Sequence, residues 1–165
     1  MRWREHIKYS SHLPLLIRMV TQTFGEVLEC GTGIFSTPVL HWLCAPNKRT
    51  LISYEGNEKY YDVATQYICD FHTVNYVEDW DKIDIEKPWD VVLIDHEDER
   101  RRIEAQRVAD YAKFVIIHDT DGAGEKHYHY NEILTLYKYN YQFLIRPRTR
   151  VLSNFVDVNN INLWK

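Results

Sequence analysis

Five short stretches hold the residues able to do chemistry. They read Glu29-Cys30-Gly31-Thr32-Gly33, Tyr54-Glu55-Gly56, Glu78-Asp79-Trp80, Asp95-His96 and His118-Asp119-Thr120-Asp121. Each follows an apolar, strand-like run, and each carries a carboxylate, an imidazole or both. Carboxylates accept hydrogen bonds from ligand hydroxyls and ammonium groups, and imidazoles move protons near neutral pH. Gly31 and Gly33 let the backbone turn tightly and let a ligand approach it. Their amides precede a helix, where a carboxylate or phosphate is welcome. Glu29 narrows that choice, because it repels a pyrophosphate and attracts a cationic nucleoside bearing an amino group. The third glycine of dinucleotide-binding turns is absent, since Ser36 stands in its place. Glu55 can accept from a ribose diol.

The elements that must position these residues follow from hydrophobic periodicity. Leu13, Leu16, Ile17, Val20 and Phe24 recur at helical spacing and predict a helix over 11–24. Residues 26–30 form a strand. Ser36 or Thr37 caps the next helix, with Pro38 in its first turn. Strands over 50–54, 73–77, 89–94 and 114–117 alternate with helices marked by Tyr60, Ala64, Tyr67 and Ile68 and by Ala105, Val108, Ala109 and Ala112. Asn131 caps a last helix running to about 139, and strands over 141–145 and 151–155 close the chain. Alternation of this kind predicts a mostly parallel sheet with helices on both faces. In such sheets ligands bind outside the carboxyl ends of the strands, where the five stretches fall.

The 165 residues suffice for one domain with a sizeable core, and residues 1–165 read as one unit. The formal net charge of −4, with no basic patch, argues against nucleic acid or an anionic membrane as partner. Cys30, Cys44 and Cys69 fit no zinc or redox spacing and read as buried free thiols. The N-terminal segment lacks the apolar run of a signal peptide, so a cytoplasmic protein is expected.

The stretch Glu29-Cys30-Gly31-Thr32-Gly33-Ile34-Phe35-Ser36-Thr37 resembles motif I of class I S-adenosylmethionine-dependent methyltransferases, whose pattern is Glu-x-Gly-x-Gly. The resemblance spans residues 11–158. It implies a Rossmann-like single domain with a seven-stranded sheet and an antiparallel C-terminal strand pair. It also implies S-adenosylmethionine as cofactor, held by Glu29, Gly31, Thr32, Gly33, Ser36, Glu55, Gly56, Asp79, Trp80 and Asp95. Asp95 and Asp119 are placed as in small O-methyltransferases of the catechol, macrocin and sugar type, where such acids bind Mg²⁺ or sit beside the reacting hydroxyl. This chain departs from that pattern by carrying His118-Asp119-Thr120 where many metal-dependent members have Asp-Asp or Asp-Asn. Asp121 or Glu97 are the candidates for a third metal ligand.

An acceptor hydroxyl needs a base or a bound cation to become a good nucleophile. His118 or His96 is the expected base, followed by Asp119, and Asp95 or Asp119 orients one of them or acts directly. Arg100, Tyr128 and Tyr130 are the expected contacts to a sugar or aryl acceptor, although residues 97–102 also read simply as the start of a solvated helix. The small size leaves an open cleft for a glycan end or a decorated small molecule, or for closure by the second subunit of a homodimer. Two other readings stand beside O-methylation. One is N- or C-methylation with the same cofactor, and the other is a degenerate methyltransferase fold that serves as a binding subunit.

Overall fold

A computed structural model describes residues 7–96, 100–122 and 128–160. Seven strands form one sheet: β1 (Val27–Cys30), β2 (Leu51–Glu55), β3 (His72–Tyr76), β4 (Trp89–Ile94), β5 (Ala112–Ile117), β6 (Tyr139–Phe143) and β7 (Thr149–Ser153). Their order is β3-β2-β1-β4-β5-β7-β6. The first five run parallel, and β7 lies antiparallel between β5 and β6. The expected mostly parallel sheet with an antiparallel closing pair is present. Strands β1, β4 and β5 are buried on both faces, which explains their near-continuous apolar runs.

Helices α1 (Leu13–Thr21) and α2 (Ser36–Cys44) cover one face, packing Leu16, Met19, Val20 and Leu40 against Val27, Val91, Phe114 and Ile116. Beyond β2 comes α3 (Glu58–Ala64), capped by the Asn57 side chain on the Lys59 amide. Helices α4 (Arg101–Arg107) and α5 (Asn131–Leu134) cover the other face with Ala105 and Ile133.

Several local expectations are corrected. In α1 the buried stripe is Leu15, Leu16, Met19 and Val20, whereas Ile17 and Phe24 face solvent. Phe24 lies beyond the helix, in the turn that Asp90 fastens through the Phe24 and Gly25 amides. Neither Ser36 nor Thr37 caps α2, because Phe35 holds the cap position without a side-chain bond and the Thr37 hydroxyl is used elsewhere. The last helix stops at Leu134, well short of 139, and Asn131 is its first residue rather than its cap. Ala112 belongs to β5, and Ile68 lies outside α3. Cys30 and Cys44 are buried, but Cys69 is exposed. No helix among the described residues is long and apolar enough to cross a membrane.

Candidate active site

A cleft of about 370 Å³ opens at the carboxyl ends of β1, β2, β4 and β5. Its volume falls in the roughly 300–1,000 Å³ range of small-molecule sites. On one side stand Thr32, Gly33, Ser36 and Glu55; on the other stand His12, Asp95, His96, Arg101, His118 and Asp119.

The first side is built around the glycine turn. Gly31 has φ +94°, and a Cβ there would lie 2.4 Å from the His96 amide nitrogen. Glycine is therefore needed for β1 to pass the end of β4, not for a ligand to approach. The Thr32 amide and hydroxyl both donate to one Glu55 oxygen, at 2.6 and 2.9 Å, and the Asn57 amide donates to the other at 2.7 Å. These bonds fix the Glu55 carboxylate at the cleft wall. Gly56 gives room to Trp80, whose Nε1 would lie 3.2 Å from a Cβ at that position.

Glu29 is not where the sequence led us to expect it. Its side chain has no exposure and lies beneath the turn rather than in the cleft. Thr37 Oγ1 donates to it at 3.0 Å while accepting from the Gly33 amide at 2.9 Å, and Ser53 Oγ donates at 2.6 Å. Burial raises its carboxyl to about 7, although these hydroxyls oppose the shift. Asp79 and Trp80 are also absent from the cleft lining. Asp79 caps a short turn through the Asp81 amide and pairs with Lys82 at 3.0 Å. Trp80 packs edge-on against His96, with centroids 4.2 Å apart.

The second side is a charge cluster. Arg101, at the start of α4, sets Nη1 3.2 Å from both Asp95 and Asp119, and donates to the His118 carbonyl at 3.1 Å. Its Nε donates to the His96 carbonyl. The guanidinium thus joins the ends of β4 and β5. Tyr128 lies against its face at 4.7 Å. Asp119, at φ +57°, is turned back toward it.

Proton accounting fixes the state of His118. Ser11 Oγ donates its single proton to the Pro147 carbonyl at 2.6 Å. Ser11 Oγ therefore accepts from His118 Nε2 at 2.9 Å. His118 Nδ1 faces Asp95 Oδ1 at 3.1 Å, and an ionised carboxylate only accepts. Both ring nitrogens thus carry protons. Burial opposes that charge, but the hydrogen bond and charge of Asp95, together with Asp119, raise the His118 pKa. Burial likewise pushes Asp95 up, but the His118 bond and the nearby cations outweigh it and hold its carboxyl below the usual range. Two carboxylates, one guanidinium and one imidazolium balance to zero.

Two expectations fail on this geometry. His118 cannot be the base, since it has no free lone pair. Mg²⁺ does not fit between Asp95 and Asp119, because the Arg101 guanidinium fills that place with its own charge. Of the third-ligand candidates, Asp121 accepts from the Arg148 amide and faces Arg146, and Glu97 lies outside the described residues. The acceptor contacts change too. Arg100 pairs with Asp81 and Glu104, away from the cleft lining, and Tyr130 is fully buried with its hydroxyl on the His118 carbonyl.

Two imidazoles remain. His96 donates through Nε2 to Glu104 at 2.8 Å, and its Nδ1 has no partner. His12 was missed in the sequence, since it falls within the helix expected over 11–24 and far along the chain from every strand end. It is 1% exposed, neither ring nitrogen has a partner, and Nδ1 lies 3.9 Å from Asp95 Oδ2. Burial lowers its pKa to about 4, with His118 and Arg101 assisting and Asp95 opposing, so the ring is neutral. Arg101 was missed because it sits in a run of three arginines that gives no sign which of them turns inward.

The parallel five-stranded core, the inserted antiparallel β7 and the cleft at the strand ends define the class I methyltransferase fold. Solved structures agree. The methyltransferase PaMTH1 from Podospora anserina, solved with S-adenosylhomocysteine, matches with a TM-score of 0.71 at 11% identity, over 94% of this chain and 83% of that one. The O-methyltransferase TomG from Streptomyces achromogenes, solved with S-adenosylmethionine, matches at 0.61 and 16% identity, over 86% and 78%. An O-methyltransferase from Bacillus cereus, solved with S-adenosylhomocysteine, matches at 0.61 and 14%, over 86% and 78%. No protein-family model and no curated protein matches the sequence.

Proposed function

We propose that the protein is an S-adenosylmethionine-dependent O-methyltransferase that methylates a hydroxyl of a saccharide or other small molecule without a divalent metal. The observation that carries this reading is the pairing, in one cleft, of the Gly33–Glu55 wall with an acid–base cluster whose single neutral, unpartnered member facing Asp95 is His12. The cofactor fits this wall. Glu55 is fixed with spare acceptor capacity on the cleft wall beside Gly33 and Ser36. Once bound, S-adenosylmethionine supplies an electrophilic methyl group on a sulfonium.

The chain's own residues hold the acceptor and manage its proton. Arg101 and the His118 imidazolium fix Asp95, leaving Oδ2 toward His12 Nδ1. The neutral His12 ring, with Nδ1 3.9 Å from that oxygen, keeps one nitrogen lone pair without a hydrogen-bond partner among the described residues. Bound S-adenosylmethionine would supply the methyl group, the C–S bond breaking as the C–O bond forms and S-adenosylhomocysteine leaving, and the neutral His12 ring would take the acceptor's proton. A weakly basic imidazole suffices because the acceptor hydroxyl grows strongly acidic as the C–O bond forms, and Asp95 stabilises the resulting imidazolium.

The test is calorimetric titration with S-adenosylmethionine and S-adenosylhomocysteine against NAD, followed by a product assay on catechols and free sugars with and without EDTA. Binding of the first two alone and turnover insensitive to EDTA are expected. Turnover abolished by EDTA and restored by Mg²⁺ would remove the metal-free reading, and absence of cofactor binding would remove the function.

A further inference from the structure

Glu29 has no cation among the groups that set its ionisation, only hydroxyls from Ser53, Ser36 and Thr37 and the charge of Glu55. Its hydrogen bonds do not stop at these neighbours. Ser53 Oγ gives its one proton to Glu29, so it accepts from His72 Nε2 at 3.0 Å. His72 on β3 is fully buried, and burial lowers its pKa to about 4, with His41 assisting. Being neutral with its proton on Nε2, it offers a lone pair at Nδ1. His41 Nδ1 on α2 lies 3.2 Å away and donates to it. His41 is only partly buried, so the line runs from the surface to Glu29.

The reverse arrangement is equally complete. A proton taken up at His41 Nε2 lets the Nδ1 proton pass to His72 Nδ1. The His72 Nε2 proton then passes to Ser53, and the Ser53 proton to Glu29. Each donor again faces one acceptor, and the net change is one proton moved from solvent to the carboxylate. Among the described residues, nothing else facing Glu29 offers such a route. Cys30 and Cys44 are neutral buried thiols, and Glu55 is committed to Thr32 and Asn57.

We propose that Glu29, Ser53, His72 and His41 form a proton path from the surface to the carboxylate beneath the cofactor turn, and that cofactor binding is coupled to this proton. The mechanical link is Thr37, which donates to Glu29 and holds the Gly33 amide at the cleft wall. The electrostatic link is charge: S-adenosylmethionine carries a sulfonium that S-adenosylhomocysteine lacks. Ionised Glu29 favours the first, and protonated Glu29 weakens both, the first more than the second. Methyl transfer removes the sulfonium charge, and uptake of one proton through the path then favours release of the product cofactor. This inference rests on the cofactor reading above.

The experiment is calorimetric titration of the full chain with each cofactor from pH 6 to 8, in two buffers of different ionisation enthalpy. Proton release is expected on binding S-adenosylmethionine and a smaller release with S-adenosylhomocysteine. Affinity for the first should weaken by up to about tenfold per pH unit below the Glu29 midpoint. Glu29→Gln abolishes both the release and the pH dependence. His72→Phe, which leaves Glu29 as the only acceptor for the Ser53 proton, shrinks them and serves if the first variant does not fold. Binding without proton exchange, or exchange unchanged in either variant, overturns the proposal. Absence of binding by either cofactor at every pH overturns the cofactor reading itself.

Discussion

Glu29 lies in β1 and Asp95 just past the end of the adjacent parallel strand β4, yet their chemistry is opposite. Glu29 is wrapped in hydroxyls with no cation beside it, and burial drives its carboxyl up to about 7. Asp95 is pressed by burial in the same direction, but His118 and Arg101 hold it down. What separates them is the partner each strand neighbour supplies. On the β2 side the partner is Ser53, a neutral donor; on the β5 side it is His118, with Arg101 reaching in from α4. The first arrangement makes a carboxylate that titrates, and the second makes a fixed charge that orients its neighbours.

The two regions touch at Gly31, so the largest effect should come from there. Gly31→Ala puts a methyl 2.4 Å from the His96 amide nitrogen on a backbone at φ +94°. We expect a loss of about 4 kcal/mol or more, or no folded protein, measured by urea denaturation. Next is Arg101→Ala, which leaves Asp95 and Asp119 facing each other. Removing one member of a buried pair costs about 3–5 kcal/mol, and the partial exposure of both acids places this variant at the lower end. The same variant sharpens the comparison, because the two carboxylates it frees should now bind a divalent ion. Mg²⁺ at millimolar concentration should raise the melting temperature of Arg101→Ala and leave the wild type unmoved. A wild type that gains as much would show that the guanidinium does not fill the metal's place.

The parallel part of the sheet was legible because β4 and β5 are near-continuous apolar runs and each of the first five strands leads to an acid or an imidazole, whereas β6 and β7, which lack such a signal, lie two residues earlier than the expected 141–145 and 151–155. Glu55 and Gly33 were legible as residues of the cleft wall, since that place follows from position along the chain. The inward-facing member of Arg100-Arg101-Arg102 was not, because helix phase cannot be read across a segment that starts with a loop. His12 was hidden for a related reason. It comes from far up the chain, and only the packing of α1 across β4 and β5 brings it to Asp95. The place of Glu29 follows from strand alternation, which the acid at a strand end obscures. Val27 and Glu29 share the face that α1 and α2 cover, so its side chain must go under the turn.

The opposite shifts predict opposite slopes of stability with pH. The Glu29 pKa is raised on folding, so its contribution is complete below the unfolded value of about 4.5 and is lost as pH rises through about 7. The span corresponds to an upper bound on the order of 3 kcal/mol. The Asp95 pKa is depressed, so its contribution is present above the unfolded value and is lost as pH falls into the acid range. Melting temperature followed from pH 4 to 8 should therefore show the high-pH decline vanish in Glu29→Gln while the acid-side decline persists. Loss of both limbs together would mean that the two sides do not titrate independently.

The smallest effect on the fold and a large one on turnover are expected at the same residue. His12 makes no hydrogen bond through its ring, and Gln matches its size and polarity, so His12→Gln should cost under about 1 kcal/mol of stability. Its burial does carry an acid-side liability: the pKa falls from 6.5 to about 4, so stability drops as pH falls through that window, and the Gln variant should be free of that part of the loss. Cofactor affinity should be unchanged, because Glu55 and the glycine turn lie on the other side of the cleft. Glutamine takes no proton, so kcat on any hydroxyl acceptor should fall by roughly 10²–10⁴-fold. His118→Gln should behave otherwise. It removes a fixed charge that orients Asp95, so it should cost stability as well as rate. If His12→Gln turns over at the wild-type rate while His118→Gln loses rate without losing stability, the proton goes to His118, and the assignment of neutral base and fixed cation must be exchanged.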